Sequence, residues 1–342
     1  MDSTLVLVSV IVLVALAFDF VNGFHDAANS IATIVATRVL SPYMAVIWAA
    51  AFNFIAVFSV GTGVASTVGK GMIDLTFVTP LVILAGLVGA ITWDLITWWW
   101  GLPSSSSHAL IGGYAGAAMA HAAHLQGMDH AFDVLIGGTW IKTLTFIVIA
   151  PLIGMALAYF LMVLMFWTFR RAHPEKVDPY FRKLQLVSSA LLSFSHGAND
   201  AQKTAGIITG VLVTSGQLSK FEVPNWVIFS AYGAISLGTL SGGWRIVHTM
   251  GSRLTRLRPR SGVCAETAAA LSILFATRLS LPISTTHVVA GSIAGVGAIQ
   301  RLKAVRWGLA TNILWAWVLT IPASALVGWI SMAVIEFIAP TK

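Results

Sequence analysis

One short polar run occurs twice in this chain, each time inside strongly apolar surroundings. Leu102-Pro103-Ser104-Ser105-Ser106-Ser107-His108 returns as Leu281-Pro282-Ile283-Ser284-Thr285-Thr286-His287. Over 102–116 against 281–295 seven positions are identical, and two more exchange Ser for Thr. Proline suits the first turn of a helix because its missing N–H has no intrahelical partner there, and the hydroxyls after it can satisfy free backbone donors. A helix start of this kind presents N–H groups and a positive dipole end, and so binds anions. Two such starts facing each other make a pocket for one small polyoxyanion. The rest of the chain can be read as the scaffold that brings them together.

That scaffold is a membrane protein. Of 342 residues 57% are hydrophobic and only 10% charged, and thirteen Trp with eighteen Phe fit a lipid-facing surface with aromatic belts. The formal charge of +7 does not point to nucleic acid, because the basic residues concentrate in short loops between apolar runs. A single Cys264 excludes a disulfide framework and a cysteine metal cluster. The start, Met1-Asp2-Ser3-Thr4, has no basic region before its apolar run, so a removable signal peptide is not expected.

Apolar stretches able to span about 30 Å of hydrocarbon lie near 4–38, 43–67, 80–101, 139–168, 184–214, 225–250 and 307–338. Those at 104–122, 263–279 and 283–299 are shorter. The first stretch is too long for one simple span, and Asn22-Gly23-Phe24-His25-Asp26 in its middle predicts a broken helix. Loop charges set the topology. Arg170, Arg171, Lys176, Arg182 and Lys183 place 169–183 in the cytoplasm, as do Arg253, Arg256, Arg258 and Arg260 for 251–260, and Arg301, Lys303 and Arg306. Segments 68–79 and 121–138 lack that excess and read as external. The hairpin around Pro103 is thus expected to start and end outside, and the one around Pro282 inside.

A second repeat agrees. Residues 20–34 align with 194–208 at five identical positions, including Gly23/Gly197 and Asp26/Asp200. The expected fold is therefore an all-α integral membrane protein of two inverted-topology repeats, with broken helices and two opposed helical hairpins. Residues 1–170 form the first repeat, with its hairpin around 80–122. Residues 184–342 form the second, with its hairpin around 263–299, and 171–183 is a basic cytoplasmic connecting loop. Inverted repeats with interrupted helices are a signature of secondary transporters, whose site lies near the midplane between the halves.

Carboxylates inside a membrane are costly, and they pair, bind ions or relay protons. Asp26 and Asn29 share a helix face, as do Asp200 and Lys203. Each Asp either caps its broken helix or serves a coupling ion or substrate, and its duplication beside a Gly favours the second role. Asn29 is matched by Lys203 and His25 by Asn199, so the two halves cannot hold identical cation sites. The first half then keeps an exchangeable site of Asp26, Asn29 and Asn22, while Lys203 neutralises Asp200 or meets the anion. His25 either carries a coupled proton or is a hydrogen-bonded structural residue. His108 and His287 either brace the hairpin turns or donate to the anion, and bracing is favoured. Asp94 and Glu266 stand in the outer hairpin arms as supporting residues. Gly112, Gly116, Gly291 and Gly295 allow close helix packing. Arg278 has Trp99 as its match and so reaches the substrate from one side at most.

Four motifs in this order resemble the inorganic phosphate transporter (PiT) family, in its short prokaryotic form. Asn22-Gly23-Phe24-His25-Asp26-Ala27-Ala28-Asn29, followed by Ala36-Thr37-Arg38, is similar to its first signature, Gly197-Ala198-Asn199-Asp200-Ala201-Gln202-Lys203 to its second, and both hairpin starts match. The resemblance implies cation-coupled phosphate symport by alternating access, in a multi-pass protein of the prokaryotic inner (plasma) membrane. It implies that Ser104, Ser105, Ser106, Ser107, Ser284, Thr285 and Thr286, with Lys203, hold phosphate. Asp26, Asn29, Asn22, His25, Asn199 and Asp200 would serve the coupling ion, and Asp26, Asn29 and Asp200 would be the metal ligands if that ion is sodium. His25 and the Gln202-Lys203 pair depart from the sodium-coupled eukaryotic members and favour a proton. Ile283 in place of Ser104 shifts the anion toward the first hairpin.

The expected partners are inorganic phosphate, a proton or sodium ion and the lipid bilayer, with sulfate as the alternative anion and a homo-oligomer compatible with this reading. No cofactor and no nucleic acid is called for. An intramembrane hydrolase would need a nucleophile and base in hydrogen-bond reach, which adjacency in sequence does not supply, and Thr for Ser in the duplicate suits binding better. An anion channel would share the helix-end site but not a tie to a cation.

Overall fold

The computed structural model describes residues 3–58, 61–300 and 305–338. Met1, Asp2, Arg301 and Lys303, used above, lie outside them. In chain order the helices are α1 (Ser3–His25), α2 (Ala27–Ala36), α3 (Pro42–Ile55), α4 (Gly63–Lys70), α5 (Pro80–Trp100), α6 (Ser106–Gln126), α7 (Gly137–Thr168), α8 (Pro174–Thr214), α9 (Asn225–Ser241), α10 (Trp244–His248), α11 (Pro259–Arg278), α12 (Thr285–Gln300) and α13 (Trp307–Ile338). Among the described residues, four helical stretches are long and apolar enough to cross a membrane: Thr4–Ala36, Pro80–Trp100, Gly137–Thr168 and Trp307–Ile338. They turn large apolar side chains such as Ile141, Val148, Phe160, Val318 and Ile330 outward, as lipid contact requires.

Packing crosses between the two parts of the sequence. The hairpin α5–α6 lies on α13, and the hairpin α11–α12 lies on α7; likewise α1 packs on α9 and α8 on α3. Small residues make the approach possible. A Cβ at Gly116 would come within 2.0 Å of the Ala325 carbonyl oxygen, and one at Gly295 within 2.4 Å of the Met155 carbonyl oxygen. These glycines pack helices, as their spacing predicts. Each long partner helix carries one internal proline, Pro151 or Pro322, at matching places.

Two local expectations are corrected. The break in the first signature is a single residue, Asp26 (φ −91°, ψ 5°), whose N–H still bonds Asn22 O at 2.8 Å while its carbonyl takes Asn29 N at 2.9 Å. The second signature is not broken at all, because α8 runs through Asp200 to Thr214. Its polar side chains find partners on neighbouring helices, so its backbone has no reason to open. The connecting loop is also shorter than 171–183: helix starts at Pro174, a residue suited to the first turn, and buried Val177 and Phe181, one turn apart, anchor it.

Candidate anion and cation site

Both hairpins turn in the same way. Gly101 and Ser280, equivalent in the repeat, take left-handed φ values of 66° and 58°. Leu102 N then bonds Thr97 O at 2.9 Å and Leu281 N bonds Ala276 O at 3.0 Å, closing each outer helix with a Schellman turn. Past the proline, Ser105 and Ser284 cap the inner helices, their hydroxyl oxygens accepting from His108 N and His287 N at 3.2 Å each. The N–H groups of Ser106 and Ser107 on α6, and of Thr285 and Thr286 on α12, are thereby the end donors of two buried helices.

The two starts face each other. The His108 and His287 rings meet edge to face with centroids 4.7 Å apart, and Trp317 stacks on His287 at 3.8 Å while its Nε1 donates to Pro103 O at 3.1 Å. Both histidines therefore brace the tips, which is the favoured reading of the sequence.

Lys203 ties the tips to the second signature. Its ammonium donates to Asp200 Oδ1 at 2.5 Å, to the Ile283 carbonyl at 2.9 Å and to Ser107 Oγ. Asp200 Oδ2 also accepts from Thr285 Oγ1 at 3.3 Å and lies 3.3 Å from His196 Nε2. A lysine 1% exposed inside a membrane protein needs all of these partners.

The first signature reaches the second hairpin. Asn29 Nδ2 donates to Thr285 Oγ1 at 3.2 Å and to Thr286 Oγ1 at 2.9 Å, and Thr286 Oγ1 lies 3.3 Å from Asp26 Oδ2. His25 sits between Asp26 Oδ1 (2.8 Å from Nδ1) and Thr97 Oγ1 (3.0 Å from Nε2), with Ser104 Oγ 3.4 Å from the same Nε2. Asp26, His196 and Asp200 offer ligand atoms that all lie within 4.8 Å of one another. Two carboxylates this close repel unless a cation or proton lies between them.

The expected phosphate set (Ser104 to Ser107, Ser284, Thr285, Thr286 and Lys203) is gathered with Asp26, Asn29, His25 and Asp200, and none of these is more than 3% exposed. Two residues stand apart from the ligand cluster. Asn22 bonds Asp19 Oδ1 at 3.5 Å, and Asn199 donates to Thr277 Oγ1 at 2.8 Å and to Leu281 O at 3.2 Å, bracing the second turn. Glu266 accepts from Thr33, Gln185 and Ser188 at 2.5, 2.8 and 2.5 Å, a structural knot between α2, α8 and α11. Arg278 is exposed in an open cleft of about 430 Å³ with Gln202, Thr277 and Ser280.

Sequence reasoning missed Thr97, Thr277, His196 and Trp317. The first two do similar work, since Thr97 holds His25 as Thr277 holds Asn199, and each lies in the last turn of its outer hairpin helix. His196 is one helical turn from Asp200, a spacing that places both on one face. Trp317 lies in an apolar run where nothing sets it off.

Comparison with known proteins places the chain among phosphate transporters. Residues 22–328 match the family model described as phosphate transporter family. A "probable low-affinity inorganic phosphate transporter" of Rhizobium meliloti (strain 1021) is 54% identical over 330 residues, 96% of this chain and 96% of the relative. A protein so named from Bacillus subtilis (strain 168) is 44% identical over 341 residues, 99% of this chain and 100% of the relative. A solved structure described as "The sodium-dependent phosphate transporter" shares the fold with a TM-score of 0.87 over 97% of this chain and 100% of that chain, at 24% identity.

Proposed function

Because the chain belongs to the phosphate transporter family, we propose that it imports inorganic phosphate across the plasma membrane of a prokaryote by proton symport, through alternating access of two inverted halves. It is a transporter and not an enzyme. The observation that carries the coupling is Lys203. One ammonium touches the carboxylate of the second signature and both hairpin tips, so a change in charge at the signatures alters the anion site directly. Phosphate sits between the starts of α6 and α12. It takes the N–H groups of Ser106, Ser107, Thr285 and Thr286 and the hydroxyls of Ser104, Ser105 and Ser284, with Lys203 supplying the charge. The coupled proton sits on the His25–Asp26 pair, which Asn29 links to the second hairpin. Asn22 and Asn199 are positioning residues. Burial of the whole set corresponds to an occluded state, which opens to one side at a time as the halves move.

Sodium is the second reading, favoured by the ligand atoms of Asp26, His196 and Asp200. Asn29 Oδ1, buried without a hydrogen-bond partner, would complete that group. The deciding experiment is uptake of labelled phosphate by proteoliposomes under an inward proton gradient without sodium. Accumulation that a protonophore abolishes supports the proton, whereas accumulation only after sodium is added overturns it. Excess unlabelled sulfate in the same assay tests the alternative anion.

A further inference from the structure

The buried carboxylates differ in how they are satisfied. Glu266 takes three hydrogen bonds; Asp200 takes two and has His196 beside it; Asp26 takes Thr286 and lies against His25. Glu336 lies 2.7 Å from His121 Nδ1. Asp94, on the inner face of α5, is 0% exposed, and among the described residues neither of its oxygens has a well-formed hydrogen bond. Its nearest donor is the Ser106 side chain, at the first residue of α6, in a loose contact that leaves that buried hydroxyl without a well-formed bond as well, and it is in electrostatic reach of His25. A carboxylate so placed is strongly penalised unless a donor reaches it. Its counterpart in the second half, 179 residues on, is the buried apolar Ile273.

We propose that Asp94 is the specificity residue of the anion site, accepting the hydrogen of a protonated oxyanion held at the start of α6. This rests on the proposed reading of that site as a phosphate site. Near neutral pH inorganic phosphate keeps at least one O–H and sulfate keeps none. A pure acceptor beside the pocket therefore completes a hydrogen bond with the first and only repels the second. Backbone and hydroxyl donors at the helix ends hold either anion; Asp94 is the element that rejects one. It also sets the orientation of the anion, with the protonated oxygen toward the first hairpin and the bare oxygens toward Lys203 and α12.

The test uses full-length protein in proteoliposomes, with unlabelled phosphate, arsenate and sulfate competing against labelled phosphate. Arsenate is the control, because it shares phosphate's protonation as well as its shape. In the parent, phosphate and arsenate compete and sulfate does not. Asp94→Asn, which gains a donor and loses the charge, is expected to weaken phosphate and arsenate at least tenfold and to let sulfate compete within threefold of phosphate. Asp94→Glu keeps the parent ranking. Stabilisation of the detergent-purified variants against heat by each anion gives the same ranking without transport. If Asp94→Asn does not fold, Asp94→Ser carries the same expectation. Unchanged exclusion of sulfate by the folded variant, whether or not phosphate and arsenate weaken, overturns the assignment. A parent protein that takes up no phosphate sinks instead the phosphate reading on which it rests.

Discussion

Asp26 and Asp200 stand at equivalent positions of the internal repeat, yet their surroundings differ by one permanent charge. Three residues after Asp200 the chain places Lys203, and three residues after Asp26 it places Asn29. Asp200 therefore has an ammonium bonded to it at 2.5 Å, while Asp26 contacts His25 and a threonine hydroxyl. The backbone differs as well. Around Lys203 the helix runs unbroken, and at Asp26 one residue leaves helical geometry. The repeat thus holds one carboxylate bonded to a lysine of the protein and one that is not. The hairpins carry the same asymmetry, with Ser104 and Asp94 on one side against Ile283 and Ile273 on the other.

Removing the permanent charge should have the largest effect. Lys203→Gln leaves Asp200 buried and unpaired, and losing one partner of a buried pair costs about 3–5 kcal/mol. Uptake is expected to fall by at least about 100-fold at that cost, with a lowered melting temperature in detergent. Adding Asp200→Asn should restore the melting temperature but not uptake, because Ser107 and Ile283 still lack the ammonium. Wild-type transport by Lys203→Gln would break the comparison. The converse change, Asn29→Lys, makes the first half resemble the second. It should abolish concentrative uptake while leaving phosphate exchange across the membrane measurable, since the coupling site then carries its own cation. Accumulation against a gradient by that variant would show that Asp26 is not the exchangeable site.

The backbone offers a test in which the halves should behave alike. Gly23 and Gly197 precede each Asp by three residues, and a Cβ there would fall 2.0 Å from Ile235 O and 2.5 Å from Asn53 O. Neither carbonyl can move without shifting its helix. Gly23→Ala and Gly197→Ala should each cost roughly 1–3 kcal/mol, by analogy with overpacked cores, and lower the melting temperature by roughly 2–6 °C. A loss confined to one of them would show that the close approach is not shared.

Much of this architecture was legible because repeats carry geometry. The two Pro-Ser starts, their caps and the i, i+3 spacing of Asp200 and Lys203 follow from residue order alone, and the structure places all of them together. What stayed hidden depends on contacts between segments far apart in the chain. Asn53 bonds Thr239 Oγ1 at 2.9 Å and lies 3.3 Å from His196, but no local pattern announces either contact. The continuity of α8 was hidden for a related reason. Gly197, Asn199 and Asp200 read as a breaking sequence until Thr277, Thr285 and Asn53 are known to surround them. Asp94 was legible as a buried acid, but the want of a well-formed hydrogen bond to it is a property of the fold.

The smallest effect separates cap from ligand. Ser105 and Ser284 accept the fourth residue's N–H at the same 3.2 Å, so as caps they are interchangeable, and replacing either with Ala should cost about 1 kcal/mol of stability. An accepting hydroxyl still has its hydrogen to give, and in the proposed site that hydrogen points to the anion. With the protonated oxygen drawn toward Asp94, the anion sits closer to α6 than to α12. Ser105→Ala should then raise the KM for phosphate more than Ser284→Ala does, by about three- to tenfold, the worth of roughly one neutral hydrogen bond, at equal loss in melting temperature. Equal KM values for the two variants would centre the anion between the hairpins and remove the reason for Asp94 to have no counterpart.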